Sequence, residues 1–230
     1  MSQTPRERAR TQTMSEILTI GRHHLELHGA AGLSLRAVAR DLGVVSSAVY
    51  RYVKSRDELL TLLVVDGYNA LGDAVDAAVG AVPQNDFSEQ FRAWGGAIRQ
   101  WALAEPARYG LLFGSPVPGY DAPAEQTTQP GTRVVVLLIQ ILQRAYESKA
   151  LTAPVKEGSP PLAADFELIR ADMEMSVPDH VFASGALVWV SVFGAVNFEV
   201  FGQYGTSTFS DPIALFESHM KLLEELVGLR

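Results

Sequence analysis

The stretch from Ser34 to Leu60, SLRAVARDLGVVSSAVYRYVKSRDELL, constrains the fold more than any other part of the chain. Ser34 can cap a helix in which Leu35, Val38, Ala39 and Leu42 recur at helical spacing. Gly43 can take a positive φ and close that helix. Ser46 or Ser47 can cap the next one, with Val49 and Val53 facing inward and Tyr50, Arg51, Tyr52 and Lys54 facing outward. Ser55-Arg56-Asp57-Glu58 fits a capping box, so a further helix starts at once. A helix, a glycine turn and a short polar-faced helix make a helix-turn-helix, whose second helix enters a DNA major groove.

Charge supports that reading over an ordinary helical corner, which mixes signs. No acidic residue lies between Gly43 and Arg56. The whole chain of 230 residues carries a net −7, which by itself argues against nucleic acid. The distribution reverses the argument. Residues 1–56 hold nine Lys/Arg and four Asp/Glu, a net of +5. Residues 57–230 hold ten and twenty-two, a net of −12. A basic module on an acidic body is the expected footprint of a DNA-binding protein.

Those residues resemble the TetR family of bacterial transcriptional regulators. The resemblance rests on Ser34-Leu35-Arg36-x-Val38-Ala39-x-x-Leu42-Gly43-Val44, then Ala48 to Tyr52, then Ser55 to Leu59. Upstream, Ile17-Leu18-x-x-Gly21 and Leu25-x-x-His28-Gly29 are similar to the family's first helix. Three positions depart from its usual pattern. Val45 replaces Ser or Thr, which passes the cap of the second helix to Ser46; Val53 replaces Phe, and Arg56 replaces Lys. The resemblance implies an all-α, Ω-shaped homodimer. Residues 1–56 would form an N-terminal helix-turn-helix DNA-binding domain, and residues 57–230 a C-terminal helical effector-binding and dimerisation domain.

The rest of the chain reads as helices. Residues 1–14 read as a polar arm, with Arg6, Arg8 and Arg10 free to reach phosphates or simply solvated. Met14–His28 is a helix, and Arg56 to about Val79 a long one. Asp86-x-x-Glu89 opens a helix whose Phe91, Trp94, Ile98 and Trp101 share a face. Pro106 starts a short helix. Residues 114–131, rich in Gly and Pro, read as a loop, and Thr132–Ala150 as a strongly apolar helix. Residues 151–161 read as a second loop and Leu162–Met175 as a shorter amphipathic helix. Val181–Phe198 has no charge and is about a membrane span in length. Its Ser184, Ser191, Asn197 and glycines, with no Lys/Arg cluster beside it, read instead as a helix buried in a core or between subunits. A last helix follows Asp211-Pro212, with Ile213, Phe216, Met220, Leu223 and Val227 on one stripe.

Trp189-x-x-x-Phe193-Gly194, Glu199-x-x-Gly202, Pro106-x-x-Tyr109 and Phe113-Gly114 are similar to a TetR subgroup with a W-x-x-x-H-G C-terminal domain, with Phe193 in place of the His. Taken together, the chain reads as a ligand-responsive repressor of a palindromic double-stranded DNA operator, the alternative being an architectural protein without base preference. Ser46, Ser47 and Arg51 are the expected base contacts. Ser34, Arg36, Tyr50, Tyr52, Lys54 and Arg56 are the expected phosphate contacts. The expected effector is a small apolar or aromatic molecule. Its expected lining is Trp94, Ile98, Trp101, Phe113, Leu138, Ile141, Phe166, Met173, Trp189, Phe193 and Asn197. At helical spacing such residues equally well form core. Asn197 can meet a ligand or a dimer partner. Dimerisation falls to the two C-terminal helices, residues 179–204 and 211–228.

Several classes are excluded. No cysteine is present, so no disulfide or thiolate metal site can form. His24 and His28 stand at i, i+4, but no metalloprotease-type Glu accompanies them, so no metal and no cofactor are expected. No nucleophile elbow or phosphate-binding Gly loop marks an enzyme. The N-terminus has no apolar signal-like run, which fits a cytoplasmic protein not bound to a membrane.

Overall fold

A computed structural model describes residues 4–152, 162–172, 175–205 and 207–229. Helix α1 spans Pro5–His28. It therefore begins nine residues before the expected Met14. The cause is local: Thr4-Pro5-Arg6-Glu7 is itself a capping box with proline at the first helical position. The Thr4 N–H donates to Glu7 Oε2 (2.8 Å) and the Glu7 N–H to Thr4 Oγ1 (3.3 Å). After Gly29 a single 3-10 turn, Ala30–Gly32, leads into α2, Leu35–Asp41. Gly43 has φ +73°, as the turn requires. α3 is one turn, Ser46–Val49. Ser34 and Val45 hold the N-cap positions of α2 and α3, and neither makes a side-chain cap bond. The expected Ser46 cap is thus absent, because Ser46 is already the first helical residue. α4 is Arg56–Gly80, capped by Ser55 Oγ, which accepts from the Glu58 N–H at 3.1 Å.

Compactness divides the chain differently from a cut at Arg56. One unit takes residues up to Ala70 together with Glu105–Gly131; the other takes Leu71–Ala104 and the chain from Thr132 onward. The reason lies in the first core. Leu59, Leu60 and Leu63 of α4 are buried beside Ile17, Val38 and Val49, and Ala107, Leu111 and Tyr120 pack against that cluster. α6, Pro106–Phe113, belongs to this unit.

In the second unit α5, Phe87–Ala104, is capped by Asp86, whose Oδ1 accepts from the Glu89 N–H at 3.0 Å. Phe91, Trp94 and Ile98 are fully buried and Trp101 nearly so, as their shared face predicts. α7 runs Ala124–Glu147 with Pro130 inside it, so the expected 114–131 loop ends eight residues early. A proline at the seventh helical position costs about 3 kcal/mol. Val134, Leu138, Ile139, Ile141 and Leu142 are all buried on the same helix and outweigh it, at roughly 1.5–3 kcal/mol each. α8 is Ala163–Asp172, α9 Asp179–Val200 and α10 Pro212–Val227. α9 is long and apolar enough to cross a bilayer. Its Val181, Phe182, Gly185, Val188, Val192 and Val196 are nevertheless buried in this unit. At Gly185 an added Cβ would lie 2.5 Å from Ile139 Cδ1, so glycine is what lets α9 approach α7 so closely. Arg99 of α5 donates from Nε and Nη2 to the two carboxylate oxygens of Glu199 on α9, at 2.7 and 2.5 Å. On α10, Phe216, Met220 and Val227 are buried as expected, whereas Ile213 is 56% exposed.

Candidate nucleic-acid interface and ligand cavity

The α2–α3 turn is fixed by backbone bonds, Gly43 N–H to the Arg40 carbonyl (3.1 Å) and Val44 N–H to the Ala39 carbonyl (3.0 Å). The chain stays coiled past α3, since Tyr52 N–H reaches the Val49 carbonyl at 2.8 Å. Val49 and Val53 enter the core and hold the opposite surface outward. That surface presents Ser47, Tyr50, Arg51 and Lys54 to solvent, with Ser46 at its edge and Arg36 exposed on α2. Among the described residues Arg36, Arg51 and Lys54 have no carboxylate ion-pair partner. Cations without a partner beside an outward-facing helix are ready to meet phosphate.

Two expected contacts sit otherwise. Tyr52 is half-buried against the first core, with the Arg10 guanidinium 5.6 Å over its ring. Arg56 Nη2 donates to the Ala30 carbonyl at 2.9 Å and lies beside Asp57, so this side chain ties α4 to the turn after α1.

Within the second unit, α7, α8 and α9 line an open cavity of about 630 Å³. Its walls are Val135, Ile139, Leu168, Ile169, Phe182, Ala186 and Trp189, with Thr132 and Asp172 as polar members. Of the ten expected lining residues that are described, only Trp189 is among these. Trp94, Ile98, Leu138 and Ile141 are 0% exposed, closed into the core. Trp94 Nε1 donates to the Val134 carbonyl at 2.9 Å, which satisfies its polar edge without a ligand. Trp101 and Phe193 are buried, Phe193 edge-on to Trp189 at 6.4 Å. Phe166 packs on Phe182, a wall residue, with ring centres 5.0 Å apart. Phe113 belongs to the first unit, against Tyr68 and Tyr109. Met173 lies outside the described residues. Asn197 is half-buried, and its Oδ1 has no donor among the described residues. Aromatic spacing along one helix marks a packed face. This cavity instead takes its wall from helices distant in sequence, which no local pattern announces.

A family model described as "Tetracyclin repressor-like, C-terminal domain" matches residues 91–223. The chain is 45% identical over 218 residues to the HTH-type transcriptional regulator Rv1816 of Mycobacterium tuberculosis, covering 95% of this chain and 93% of that protein. This chain belongs to the TetR family of transcriptional regulators. It is similar to the same extent to HTH-type transcriptional regulator Mb1846 of Mycobacterium bovis. Among solved structures, regulatory protein SCO4313 superimposes with a TM-score of 0.78 at 32% identity, over 96% of this chain and 98% of that one. TetR-family proteins act by binding DNA, and the chain is a regulator rather than an enzyme.

The helix-turn-helix of this TetR-family chain is braced by side chains that its sequence pattern does not announce. His24 on α1 is 3% exposed, and its Nε2–H donates to Asp41 Oδ2 at the end of α2, at 2.6 Å. That bond holds the Asp41 carboxyl below the ordinary carboxylate range. A lowered folded-state pKa means that the bond stabilises above the unfolded value, about 3.9, and that its contribution vanishes as pH falls through the folded one. We expect Asp41→Asn to remove part of the fall in melting temperature between pH 5 and pH 2. An unchanged profile would show that this pair contributes nothing to the acid response. Asp66 on α4 joins α1 to α6: it accepts from Arg22 at 3.3 Å and from the buried Arg108 at 2.8 Å.

The second unit also bears an unpaired apolar surface. Leu187, Val190 and Phe198 of α9 and Leu222 and Leu226 of α10 are 45–60% exposed. A groove of about 380 Å³ beside them is lined by Gly194, Ala195, Phe198, Tyr204, His219 and Leu222.

Proposed function

We propose that this TetR-family chain is a ligand-responsive repressor acting as a cytoplasmic homodimer on a near-palindromic operator. Residues 1–56 provide the DNA-contacting surface and residues 57–230 the effector-binding and dimerising part. Ser46, Ser47 and Arg51 read base edges in successive major grooves, Arg51 through its bidentate match to guanine. Ser34, Arg36, Tyr50 and Lys54 hold phosphates and set register. The observation that carries the reading is the solvent-facing Ser47–Tyr50–Arg51–Lys54 surface, cationic and without carboxylate partners among the described residues.

The effector is apolar or aromatic and occupies the α7–α8–α9 cavity, with Trp189 in its wall. Trp189, Gly194 and Glu199-x-x-Gly202 support placing the chain in the W-x-x-x-H-G subgroup. Phe193 in the His position removes a polar ligand contact there. Dimerisation runs through α9 and α10, whose exposed leucines and Val190 supply an apolar seam for a four-helix bundle. Induction requires that the effector bind more tightly to a subunit spacing that cannot span both grooves, because equal affinity for two states shifts neither.

The test is selection of genomic DNA fragments by the purified protein at near-physiological salt, followed by sequencing. A recovered palindrome with half-sites about one helical turn apart supports the repressor. Recovery without a common motif supports binding without base choice and overturns it. On the recovered operator, Arg51→Ala is expected to cost about 1–3 kcal/mol and to relax preference at one position per half-site. Equal weakening on all sequences would assign Arg51 to a phosphate.

A further inference from the structure

α1 begins well before the apolar stripe that anchors it, and this extension is basic. Between Thr4 and Gln12 it carries Arg6, Arg8 and Arg10 against a single acid, Glu7. That acid is engaged at the helix start, where its Oε2 accepts from the Thr4 N–H and hydroxyl at 2.8 and 2.9 Å. None of the three arginines has an ion-pair partner among the described residues. Arg10 reaches across to the helix-turn-helix: its guanidinium lies 5.6 Å from the centre of the Tyr52 ring, one residue past Arg51. Arg6 stands four residues upstream of Arg10, hence on the same side of α1 and about 6 Å further along its axis. Arg8 stands two residues from each and so faces the other way.

We propose that the Arg6–Arg10 side of α1 is a second DNA-contacting element, a clamp on the phosphate backbone next to the bases read by α3. This rests on the repressor reading above only in taking α3 as the groove-entering element. The occupant is duplex phosphate, for two reasons. The patch is cationic, and Arg10 lies over the ring of Tyr52, the residue that follows Arg51 in the chain. The capping box and proline hold these arginines on a formed helix, so they act as a pre-ordered edge and not as a loose arm threading a minor groove. Such contacts carry no base information, and their signature is salt dependence.

The experiment compares the full-length protein with Arg6→Gln/Arg10→Gln and with Arg8→Gln, across a salt series, on the selected operator and on unrelated duplex. Each arginine withdrawn from a phosphate lowers the slope of log affinity against log salt by about 0.9. The double variant is therefore expected to reduce the slope by about 1.8 on both DNAs, with its base preference unchanged. Arg8→Gln, which removes the same kind of charge from the opposite side, is expected to leave the slope within about 0.3 of the parent. Equal slopes in all three proteins, or the same change per charge from Arg8→Gln as from the double variant, would overturn the clamp. A parent protein that selects no motif would sink the repressor reading alone, since the slope comparison on unrelated duplex stays readable.

Discussion

Val190→Arg is expected to give a folded monomer that no longer retains operator DNA. Val190 is 57% exposed on α9 in the single subunit, so arginine there meets water and costs the subunit little. The α9–α10 dimer proposed above would respond differently. In such a two-fold interface the same patch faces itself, so each substitution enters twice. The side chains of Leu187, Val190 and Phe198 on α9 and Leu222 and Leu226 on α10 cannot receive a guanidinium, and the exposed acid nearest to them in the chain is Glu225. An unpaired charge shut into such a seam costs several kcal/mol. Even about 4 kcal/mol in total weakens association roughly a thousandfold. Sedimentation velocity should show the mass halved, circular dichroism an unchanged helix content, and the operator should no longer be retained because one subunit grips only one half-site. If the variant still sediments as a dimer, the subunits meet elsewhere.

Trp94→Ala is expected to lower stability by about 3–5 kcal/mol, the usual result of emptying a large buried site. For a chain of this size that amounts to roughly 6–20 °C in melting temperature. Trp94 is 0% exposed, packs near Phe91 and donates its indole N–H to the Val134 carbonyl. Trp189→Ala should behave in the opposite way, with little change in melting temperature and an altered response to effector, because Trp189 is 40% exposed and forms cavity wall. Thermal unfolding of both variants, with and without effector, separates the roles. A stable Trp94→Ala protein with no effector response would move the ligand site to Trp94.

These two tryptophans also show where the sequence was readable. The α5 face was legible because Phe91, Trp94, Ile98 and Trp101 repeat at helical spacing, and the structure buries all four. The helix-turn-helix was legible for the same reason, with Gly43 fixing the turn. The start of α1 was legible in principle. Thr4-Pro5-Arg6-Glu7 holds a capping box with a proline at the first helical position, but its lack of apolar residues made it read as a tail. Pro130 misled in the opposite direction, since proline and glycine suggest a loop until burial of the residues that follow is known. The cavity had no such signal. Val135, Leu168 and Ala186 lie in three separate helices, and only their packing leaves the space between them. The His24–Asp41 pair and the Arg22–Asp66–Arg108 cluster were equally silent, because their members stand 17 to 44 residues apart.

The first compact unit is discontinuous in sequence, and that sets an order on its synthesis. Its core needs α6 as well as α1–α4, yet the residues that complete it, 105–131, leave the ribosome after Leu71–Ala104 of the other unit. At about 5–20 residues per second the first unit waits roughly 3–12 s, from residue 70 to residue 131, with part of its apolar surface uncovered. A nascent chain therefore holds the whole helix-turn-helix sequence well before it holds a finished reader of DNA. A chain cut short in that interval, before α6, holds the helix-turn-helix without the α6 side chains, Ala107 and Leu111, that pack on its core.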